Sequence, residues 1–433
     1  MINSEQKNAV LYEQNAAYYW LCLKKGLARI FHQPKYRVVA ALYWAAAALL
    51  IIKCALPPEN RLDKLLQPLA LFGLVLCSVL IFLFAVTICA IPAGSHRFAN
   101  AFRAINLVNS AGQPPLMLSK ERRGDNMLVE ILCLGITEEE LQKRQLEIEA
   151  ALNMKVAAIK EGADCQHIIL CLAPGTAKLP ERVCLPKTDK AADNPKLVLG
   201  QSLFEEVVVN LDSTPHILVG GSTGSGKTTM LKVLIQQALQ KGWQVDLIDM
   251  KAGQDYSPSW QQICNLCDNA QYALTVLSGV VQELERRKDL FGQISRRLNV
   301  ECSSIADFNK LRPENPLRRR LIVIDELAEL TDTTGLDKNN KELAAKIVKQ
   351  LATIARLGRA YGINLVFGVQ RGDANVIPGQ IKSNISYRVS SKADATLSMI
   401  ILDNTSANEM IPKDSRGRFI NHDGVVFQGY ILE

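Results

Sequence analysis

The sequence predicts an α/β protein that begins with a two-helix transmembrane hairpin and continues into two α/β domains of unequal size. Two long apolar runs lie close together near the amino terminus, at residues 38–52 and 65–91. Through the rest of the chain, short apolar strands alternate with helical stretches, which favours a mostly parallel sheet with helices on both faces. A glycine-rich segment at 221–228 directly follows one of these strands.

Composition limits the class of protein further. A chain of 433 residues is long enough for two or three domains. Its net charge of +7 is mild for this length and is only a weak indication of an anionic partner. The 11 cysteines are scattered, and the C-x-x-C pair Cys264 and Cys267 has no second pair or histidine at metal-site spacing. We therefore expect reduced thiols in a cytosolic and membrane setting.

Both apolar runs are expected to cross a membrane. A spanning helix needs ~20 apolar residues, and Lys53 near the end of the first run can extend its long side chain to the interface. A buried core helix is the alternative for each run. A cleaved signal peptide does not fit, because a long polar stretch precedes the first run and a second run follows it.

The charges beside the two spans predict their orientation, because basic flanks stay cytoplasmic. Basic residues precede the first span and follow the second: Lys24, Lys25, Arg29, Lys35, Arg37, Arg97 and Arg103. The short connector holds two bases and two acids: Arg61, Lys64, Glu59 and Asp63. We therefore expect a two-span protein of the cell membrane with both termini and the large domain in the cytoplasm.

The chain is expected to divide into four segments, which are a cytosolic leader (1–37), the transmembrane hairpin (38–92), a connector and small α/β domain with a linker (93–196), and the large α/β domain (197–433). Within the third segment, the connector is expected at 93–115 and the linker at 176–196. In the small domain we expect a helix that opens at Thr137 and runs to Asn153. Its expected strands are Met127–Leu134, Lys155–Glu161 and His167–Ala173. The expected strands of the large domain are His216–Val219, Val245–Asp249, Leu321–Asp325, Ile363–Val369 and Val425–Leu432.

The glycine-rich segment reads G-S-T-G-S-G-K-T and matches the phosphate-binding pattern G-x-x-x-x-G-K-[ST] in full. The expected nucleotide-binding residues are Gly221, Ser222, Thr223, Gly224, Ser225, Gly226, Lys227, Thr228 and Thr229. The glycines let backbone N–H groups surround a triphosphate, Lys227 can reach its β- and γ-phosphates, and the Thr228 hydroxyl can ligate Mg²⁺. A chance match is the alternative, but the flanking strand and helix favour an ATP site.

A second acidic motif follows a strand, as such an ATPase requires. Asp325 at the end of the strand can hold the Mg²⁺ shell, and Glu326 can polarise the attacking water as a general base. The sequence therefore predicts an ATPase with ATP and Mg²⁺ as cofactors. Its catalytic residues would be Lys227, Asp325 and Glu326, with Thr228 and Asp325 as metal ligands.

Further candidates lie at other strand ends. Gln370 either senses the γ-phosphate or makes a simple strand-end hydrogen bond, and Asp249 either supports the site or caps a helix. An arginine supplied by a neighbouring subunit stabilises transition-state charge in ring ATPases. Arg359 is our preferred candidate among four: Arg356, Arg359, Arg371 and Arg388. Structural salt bridges are the alternative for each, and Lys382 and Arg388 can instead face DNA.

Several motifs together carry a resemblance. They include P-H-I-L-V before the phosphate loop, L-I-D-M-K at 247–251, V-I-D-E-L-A-E-L at 323–330 and I-A-R-L-G-R-A-Y-G-I-N-L at 354–365. Their order and spacing over roughly 197–420 resemble the FtsK/SpoIIIE family of membrane-tethered DNA translocases. The resemblance implies a RecA-like P-loop ATPase domain that moves DNA without reading its sequence.

The chain is also similar to the shorter TcpA-like coupling ATPases of Gram-positive conjugative elements. It has two expected spans, and we expect no winged-helix DNA-reading domain after Glu433. The resemblance implies a homo-hexamer at the membrane that brings a relaxase–DNA complex to the conjugation channel. A type VII-like protein-export ATPase and a chromosome-segregating translocase remain alternatives. Intact Lys227, Thr228, Asp325 and Glu326 argue against a silent adaptor.

Overall fold

The computed structural model describes residues 4–56, 61–187, 191–251, 253–256, 258–370 and 377–433. The chain separates into two compact units, Met1–Ala177 and Lys178–Glu433. In the first unit, the helices are α1 (Ser4–His32), α2 (Pro34–Cys54), α3 (Arg61–Ala90), α4 (Ser95–Ala104), α5 (Glu138–Lys143) and α6 (Gln145–Leu152), and the strands are β1 (Leu116–Arg123), β2 (Asn126–Leu132), β3 (Met154–Glu161) and β4 (His167–Pro174).

Helices α2 and α3 are the two candidate membrane spans. Pro34–Cys54 and Leu66–Ala90 are long and apolar enough to cross a bilayer. None of the side chains of α2 is buried, and only 6% of the most apolar window of α3 is buried. A core helix of a water-soluble domain buries its apolar side chains, so this exposure disfavours the core-helix alternative. Glu59 of the charged connector lies outside the described residues.

The leader forms the long helix α1, which packs onto the small domain. Tyr18 is buried, and its hydroxyl donates a hydrogen bond to the Met117 carbonyl at 3.0 Å. Cys22 is also buried, in a cluster that includes residues of α3, β1 and β2. One turn later, the Lys25 ammonium contacts the Glu130 carboxylate at 2.7 Å. These contacts join residues about one hundred positions apart, so no local pattern in the leader predicts them.

The small domain is a four-stranded antiparallel sheet, in the order β1-β2-β4-β3, covered by short helices. Helix α4 lies in the segment that was expected to be a connector, and its Phe98 and Phe102 belong to the core of the domain. The expected helix from Thr137 to Asn153 is two helices that meet at Arg144. The side chain of Thr137 accepts the Glu140 N–H as expected of an N-cap.

The second unit is a sheet with helices on both faces. Its helices are α7 (Lys227–Gln240), α8 (Pro258–Ile263), α9 (Ala270–Leu298), α10 (Ile305–Leu311), α11 (Ala328–Thr331), α12 (Lys338–Leu357), α13 (Gly379–Lys382), α14 (Ala395–Leu402) and α15 (Ser406–Met410). Its strands are β5 (Val183–Cys184), β6 (Lys196–Ser202), β7 (Glu206–Asn210), β8 (His216–Gly220), β9 (Gln244–Ile248), β10 (Asn265–Cys267), β11 (Arg320–Ile324), β12 (Ile363–Val369), β13 (Tyr387–Ser390), β14 (Arg418–Asn421) and β15 (Val426–Ile431).

The strand order of the large sheet is β10-β9-β11-β12-β8-β13-β14-β15-β6-β7. The first six strands in this order are parallel, and the antiparallel remainder begins at the β13–β14 pair. All five strands expected in this domain are present, and each expected boundary lies within one residue of the observed one. The α/β class and the mostly parallel sheet are therefore confirmed, with the carboxyl ends of β9, β11, β12, β8 and β13 at one edge.

The segment 176–196, which was expected to be a linker, contributes to this sheet. Strand β5 pairs in parallel with β15, and β6 begins at Lys196 and pairs antiparallel with β15 and β7. Strand β5 has only two residues and neither is buried, so it leaves no apolar pattern in the sequence. The polar composition around it therefore predicted a linker. Its backbone hydrogen bonds to the distant strand β15 are what hold this part of the chain.

His216 ties the centre of the sheet to a covering helix. Its Nε2 donates to the Ala355 carbonyl in α12 at 2.9 Å, and its Nδ1 accepts the Leu365 N–H of β12 at 3.0 Å. Burial lowers the pKa of His216 to about 4. The imidazole is therefore neutral at physiological pH, with its proton on Nε2.

Candidate nucleotide-binding site

The loop between β8 and α7 has the backbone shape that binds phosphate. Three glycines have positive φ angles, 151° at Gly221, 75° at Gly224 and 109° at Gly226. A Cβ at Gly226 would lie 3.0 Å from the backbone of Gly417, so the loop also requires glycine for space. Helix α7 begins at Lys227. Its free N–H groups and positive dipole end therefore face the loop.

Neighbouring strands fix the position of this loop. The Gly221 N–H donates to the Val369 carbonyl at 3.1 Å, at the end of β12. Both the N–H and the hydroxyl of Ser222 donate to the Lys392 carbonyl at 2.9 Å. The Ser391 hydroxyl, just after β13, donates to the Ser225 hydroxyl at 2.6 Å. The loop is therefore preorganised before any ligand binds.

Lys227 and Asp325 form a buried ion pair at the centre of the site. The Lys227 ammonium lies 3.2 Å from Asp325 Oδ1 and also donates to the Asp325 carbonyl. The two side chains are only 3% and 2% exposed. The Tyr256 hydroxyl donates to the same Oδ1 at 3.2 Å. Tyr256 is a positioning residue that sequence reasoning missed, because no motif surrounds it and 69 residues separate it from its partner.

Glu326 lies beside this pair and has the environment of a general base. Burial raises the pKa of Glu326 above its ordinary value, while the positive charge of Lys227 and the Gln370 N–H act in the opposite direction. That N–H donates to Glu326 Oε1 at 3.3 Å. A carboxylate with a raised pKa is a better proton acceptor than an ordinary glutamate.

Gln370 connects the end of β12 to the tip of the phosphate loop. The Thr223 hydroxyl donates to Gln370 Oε1 at 3.3 Å. Thr223 itself is exposed, and so is Gly224. The side chain of Gln370 therefore contacts the loop, while its backbone contacts Glu326. The structure brings together at this edge the predicted residues of the loop, Lys227, Asp325, Glu326 and Gln370.

Asp249 stabilises the turn that follows β9. Its Oδ1 accepts the Lys251 N–H at 3.1 Å, and its Oδ2 accepts the Gly253 N–H at 3.0 Å. No helix begins within the described residues of this turn, so the helix-cap alternative is wrong. Burial raises the pKa of Asp249, and the charge of nearby Asp325 acts in the same direction.

Arg359 lies at the opposite edge of the sheet from the phosphate loop. It falls between the end of α12 and the start of β12, and its Nε donates to the Asp212 carbonyl at 2.7 Å. Arg359 and exposed Arg356 both line a surface cavity of about 530 Å³ at this edge. Neither arginine is therefore placed to act on a nucleotide bound in its own subunit.

The other cations differ in their surroundings. Lys382 pairs with Asp403 Oδ1 at 2.6 Å, and Arg388 pairs with Asp403 Oδ2. The structural salt bridge is therefore the supported alternative for Arg388 over a free DNA-facing cation. The candidate Arg371 lies outside the described residues.

The phosphate loop opens into a cavity of about 690 Å³. The far wall comes from the end of β15, the turn before β14 and the β5 region, and it includes Tyr430, Gly429, Gly417, Arg416 and Arg182. The sequence did not predict this wall, because its members come from distant segments and none carries a phosphate-binding pattern. The volume is within the range of roughly 300–1,000 Å³ that small-molecule sites occupy.

Comparison with known proteins identifies the domain. Residues 179–373 match the sequence profile of the FtsK/SpoIIIE family. This chain carries an FtsK/SpoIIIE-family P-loop ATPase domain. It is 33% identical over 231 residues to the DNA translocase FtsK of Treponema pallidum, across 50% of this chain and 27% of that protein. It is 32% identical over 221 residues to the DNA translocase SftA of Bacillus subtilis, across 48% of this chain and 21% of that protein.

The chain spans about a quarter of the length of these curated relatives. A solved structure covers more of it. The monomer form of the pCW3 conjugation coupling protein TcpA with ATPγS superimposes with a TM-score of 0.56 and 29% identity, over 79% of this chain and 96% of that solved chain. The family resemblance, the ATPase fold and its enzymatic class are thereby confirmed.

Proposed function

We propose that this protein is a membrane-anchored, ATP-driven DNA translocase that serves as the coupling protein of conjugative DNA transfer. The observation that carries the proposal is the likeness to the solved chain of the coupling protein TcpA, over nearly the whole of that chain. In this proposal the chain has four functional segments, which are the leader at 1–37, the hairpin at 38–92, the small domain with its flanks at 93–196 and the motor at 197–433. The motor and both termini lie on the cytoplasmic side, where ATP and DNA are present.

ATP and Mg²⁺ fit the residues of the site. Phosphates fit against the N–H groups of the loop, and the cavity beyond has room for the nucleoside. The side chains of Thr228 and Asp325 supply hard oxygen ligands for Mg²⁺, which commonly takes one or two protein ligands with phosphates and water. Its chemistry there is to neutralise phosphate charge. The described residues contain no preformed cluster of three metal-binding side chains.

The buried ion pair places the two charged groups of the site together. Lys227 lies 3.2 Å from Asp325 Oδ1. Lys227 would bind the phosphates by charge-assisted hydrogen bonds, and Asp325 would hold Mg²⁺, which would neutralise phosphate charge. Glu326 then accepts the proton of the attacking water, and Gln370 communicates loss of the γ-phosphate through its contacts with Thr223 and Glu326.

A homo-hexameric ring completes the active site in this proposal. Arg359 is at the sheet edge opposite the phosphate loop, so it can act only on the nucleotide of a neighbouring subunit. Such an arginine stabilises charge in the transition state. DNA in the ring is held through its phosphates, without base readout. Relaxase and conjugation channel proteins are the protein partners that supply specificity.

A chromosome-segregating translocase is the second candidate, favoured by the identity to FtsK and SftA. The two candidates share the motor and differ in the biological process. Transfer of a conjugative element from cells that carry Glu326→Gln distinguishes them. Loss of transfer with normal growth and division supports conjugation, whereas normal transfer with defective chromosome segregation supports the second candidate.

The test of the motor is the ATPase rate of the full-length protein in nanodiscs, with and without single- or double-stranded DNA. It is measured at about 50 and about 200 mM salt, because phosphate contacts weaken steeply over that range. Lys227→Ala is the inactive control. We expect DNA to stimulate turnover at low salt and to lose this effect at high salt. Turnover that is indifferent to both forms of DNA contradicts DNA translocation and favours protein export.

A further inference from the structure

Helices α1, α2 and α3 enclose an apolar cavity of about 260 Å³. The helices approach closely at Gly26, where a Cβ would lie 2.6 Å from Val86 Cγ1 and 2.7 Å from the Val86 carbonyl oxygen. Tyr43 also lines the cavity, and its hydroxyl donates to the Ser78 carbonyl at 2.7 Å while its ring lies 5.4 Å from that of Phe82. Ala85 on its wall is exposed, so the cavity opens sideways from the helices.

Arg29 is the charged residue among the lining side chains that the structure describes. It is half-buried, and its guanidinium has no ion-pair or hydrogen-bond partner within the described part of the chain. Its neighbours on α1 differ, because Lys25 pairs with Glu130 at 2.7 Å and Lys24 lies 5.3 Å from the Trp20 ring. A guanidinium without a protein partner keeps its N–H donors available for an anion.

We propose that this cavity binds one anionic phospholipid, with part of an acyl chain between the three helices and the headgroup phosphate on Arg29. The apolar lining excludes a free polar anion from the interior, while the guanidinium favours phosphate by bidentate hydrogen bonding. The cavity is too small for a whole lipid and has room for part of one chain. Its sideways opening faces the place where lipid lies if α2 and α3 span the membrane.

The position of Arg29 gives this binding a structural consequence. It lies one turn before the junction of α1 and α2, on the helix whose Tyr18 and Lys25 contact the small domain. A lipid in the cavity therefore contacts all three helices and fixes the angle at which α1 leaves the membrane surface. Polybasic segments next to spans bind anionic lipids electrostatically. The cavity adds a defined binding site for one anionic lipid molecule.

The test measures lipid retention by native mass spectrometry of the full-length protein, and its thermal stabilisation by added lipid. The probes are phosphatidylglycerol and phosphatidylcholine with identical acyl chains. The variant Arg29→Gln removes the charge, and Ala85→Leu fills the cavity from an exposed position. Lys24→Gln and Ala46→Leu are the matched controls, because they change an exposed cation of α1 and an exposed alanine of α2 outside the cavity.

We expect the wild type and both controls to retain one phosphatidylglycerol per chain in preference to phosphatidylcholine. Arg29→Gln should reduce that preference about tenfold, the factor expected for one charge-assisted hydrogen-bonded contact. Ala85→Leu should weaken binding of both lipids. Equal retention of the two lipids by the wild type, or unchanged preference in Arg29→Gln, overturns the proposal. The proposal is also overturned if Arg29→Gln and Ala85→Leu retain lipid as the wild type does but no longer self-associate, because a second copy of the chain then occupies the cavity.

Discussion

At the scale of single residues, Glu326 is the group on which the assignment of hydrolysis rests. We expect Glu326→Gln to lower ATP turnover by about 10²- to 10⁴-fold, the range attributed to a positioned general base. Nucleotide affinity should be retained, because the amide keeps the size of the side chain and the loop is unchanged. Turnover and ATPγS binding are measured on the same preparation. Glu342→Gln is the matched control, since Glu342 is an exposed glutamate on α12.

The pH dependence of turnover gives an independent readout of Glu326. Its pKa is raised by burial and by the charges of Asp325 and Glu329, and lowered by Lys227 and the Gln370 N–H. A base works in its ionised form, so turnover should rise with pH through a value above the ordinary 4.5. The contribution of Glu326 to folding stability changes with pH in the opposite direction. A raised folded-state pKa stabilises the folded protein while the group is protonated, and this stabilisation is lost as pH rises. A wild-type rate without an acidic limb above 4.5 contradicts the assignment.

The predictability of the site also differs residue by residue. The phosphate loop, Asp325, Glu326 and Gln370 were predictable, because each is a local pattern at the end of a buried strand. Tyr256 was not, because its hydrogen bond to Asp325 depends on how a loop after β9 packs across the sheet. The ion pair of Arg388 with Asp403, which follows α14, was not predictable either, because the two residues belong to different elements. Long-range pairing of polar side chains leaves no local pattern.

At the scale of secondary-structure elements, the sequence predicted the buried strands of the large sheet better than the short elements β5 and α4. The five strands expected in the large domain are apolar and fully or largely buried, so composition identifies them. Strand β5 and helix α4 lie in segments that were expected to be a linker and a connector. In both cases, backbone pairing or a few aromatic contacts hold a polar segment, and these contacts come from elsewhere in the fold.

His216 carries a testable interaction between elements. Its lowered pKa of about 4 means that the unfolded chain binds a proton more readily than the folded one between that value and 6.5. The contribution of His216 to stability is therefore present above pH 6.5 and is lost as pH falls toward 4. We expect His216→Gln to lower the thermal midpoint at pH 7.5, because one amide cannot satisfy both Ala355 and the Leu365 N–H.

The informative quantity is the difference between wild type and His216→Gln across pH. We expect this difference to shrink as the solution is acidified, because protonation removes the wild-type advantage. Using the difference cancels the titration of Asp249 and Glu326, which both variants share. His422→Gln controls for loss of an exposed imidazole. A constant difference from pH 7.5 to pH 5 contradicts the linkage of β8 to α12 through a neutral His216.

At the scale of the whole molecule, the arrangement of the spans determines which side of the membrane the ATPase faces. Basic residues precede α2 and follow α3, so the connector between them should face the outside. Cys54, the last residue of α2, is exposed beside this connector, whereas exposed Cys77 and Cys89 lie within α3 and exposed Cys165 and Cys184 lie in the folded domains. We expect a membrane-impermeant maleimide to label intact cells only at Cys54, because the bilayer shields the two thiols of α3 and the two thiols of the folded domains face the cytoplasm.

The control for this prediction is built into the chain. Cys54→Ser should abolish labelling of intact cells, and the matched variant Cys165→Ser should leave it unchanged. After permeabilisation, Cys54→Ser should be labelled at Cys165 and Cys184. Labelling of Cys54→Ser in intact cells would place the folded domains outside, where they have no supply of ATP, and would contradict a cytoplasmic motor. This single measurement therefore tests the membrane orientation that the proposed DNA translocation and the supply of ATP to the motor both require.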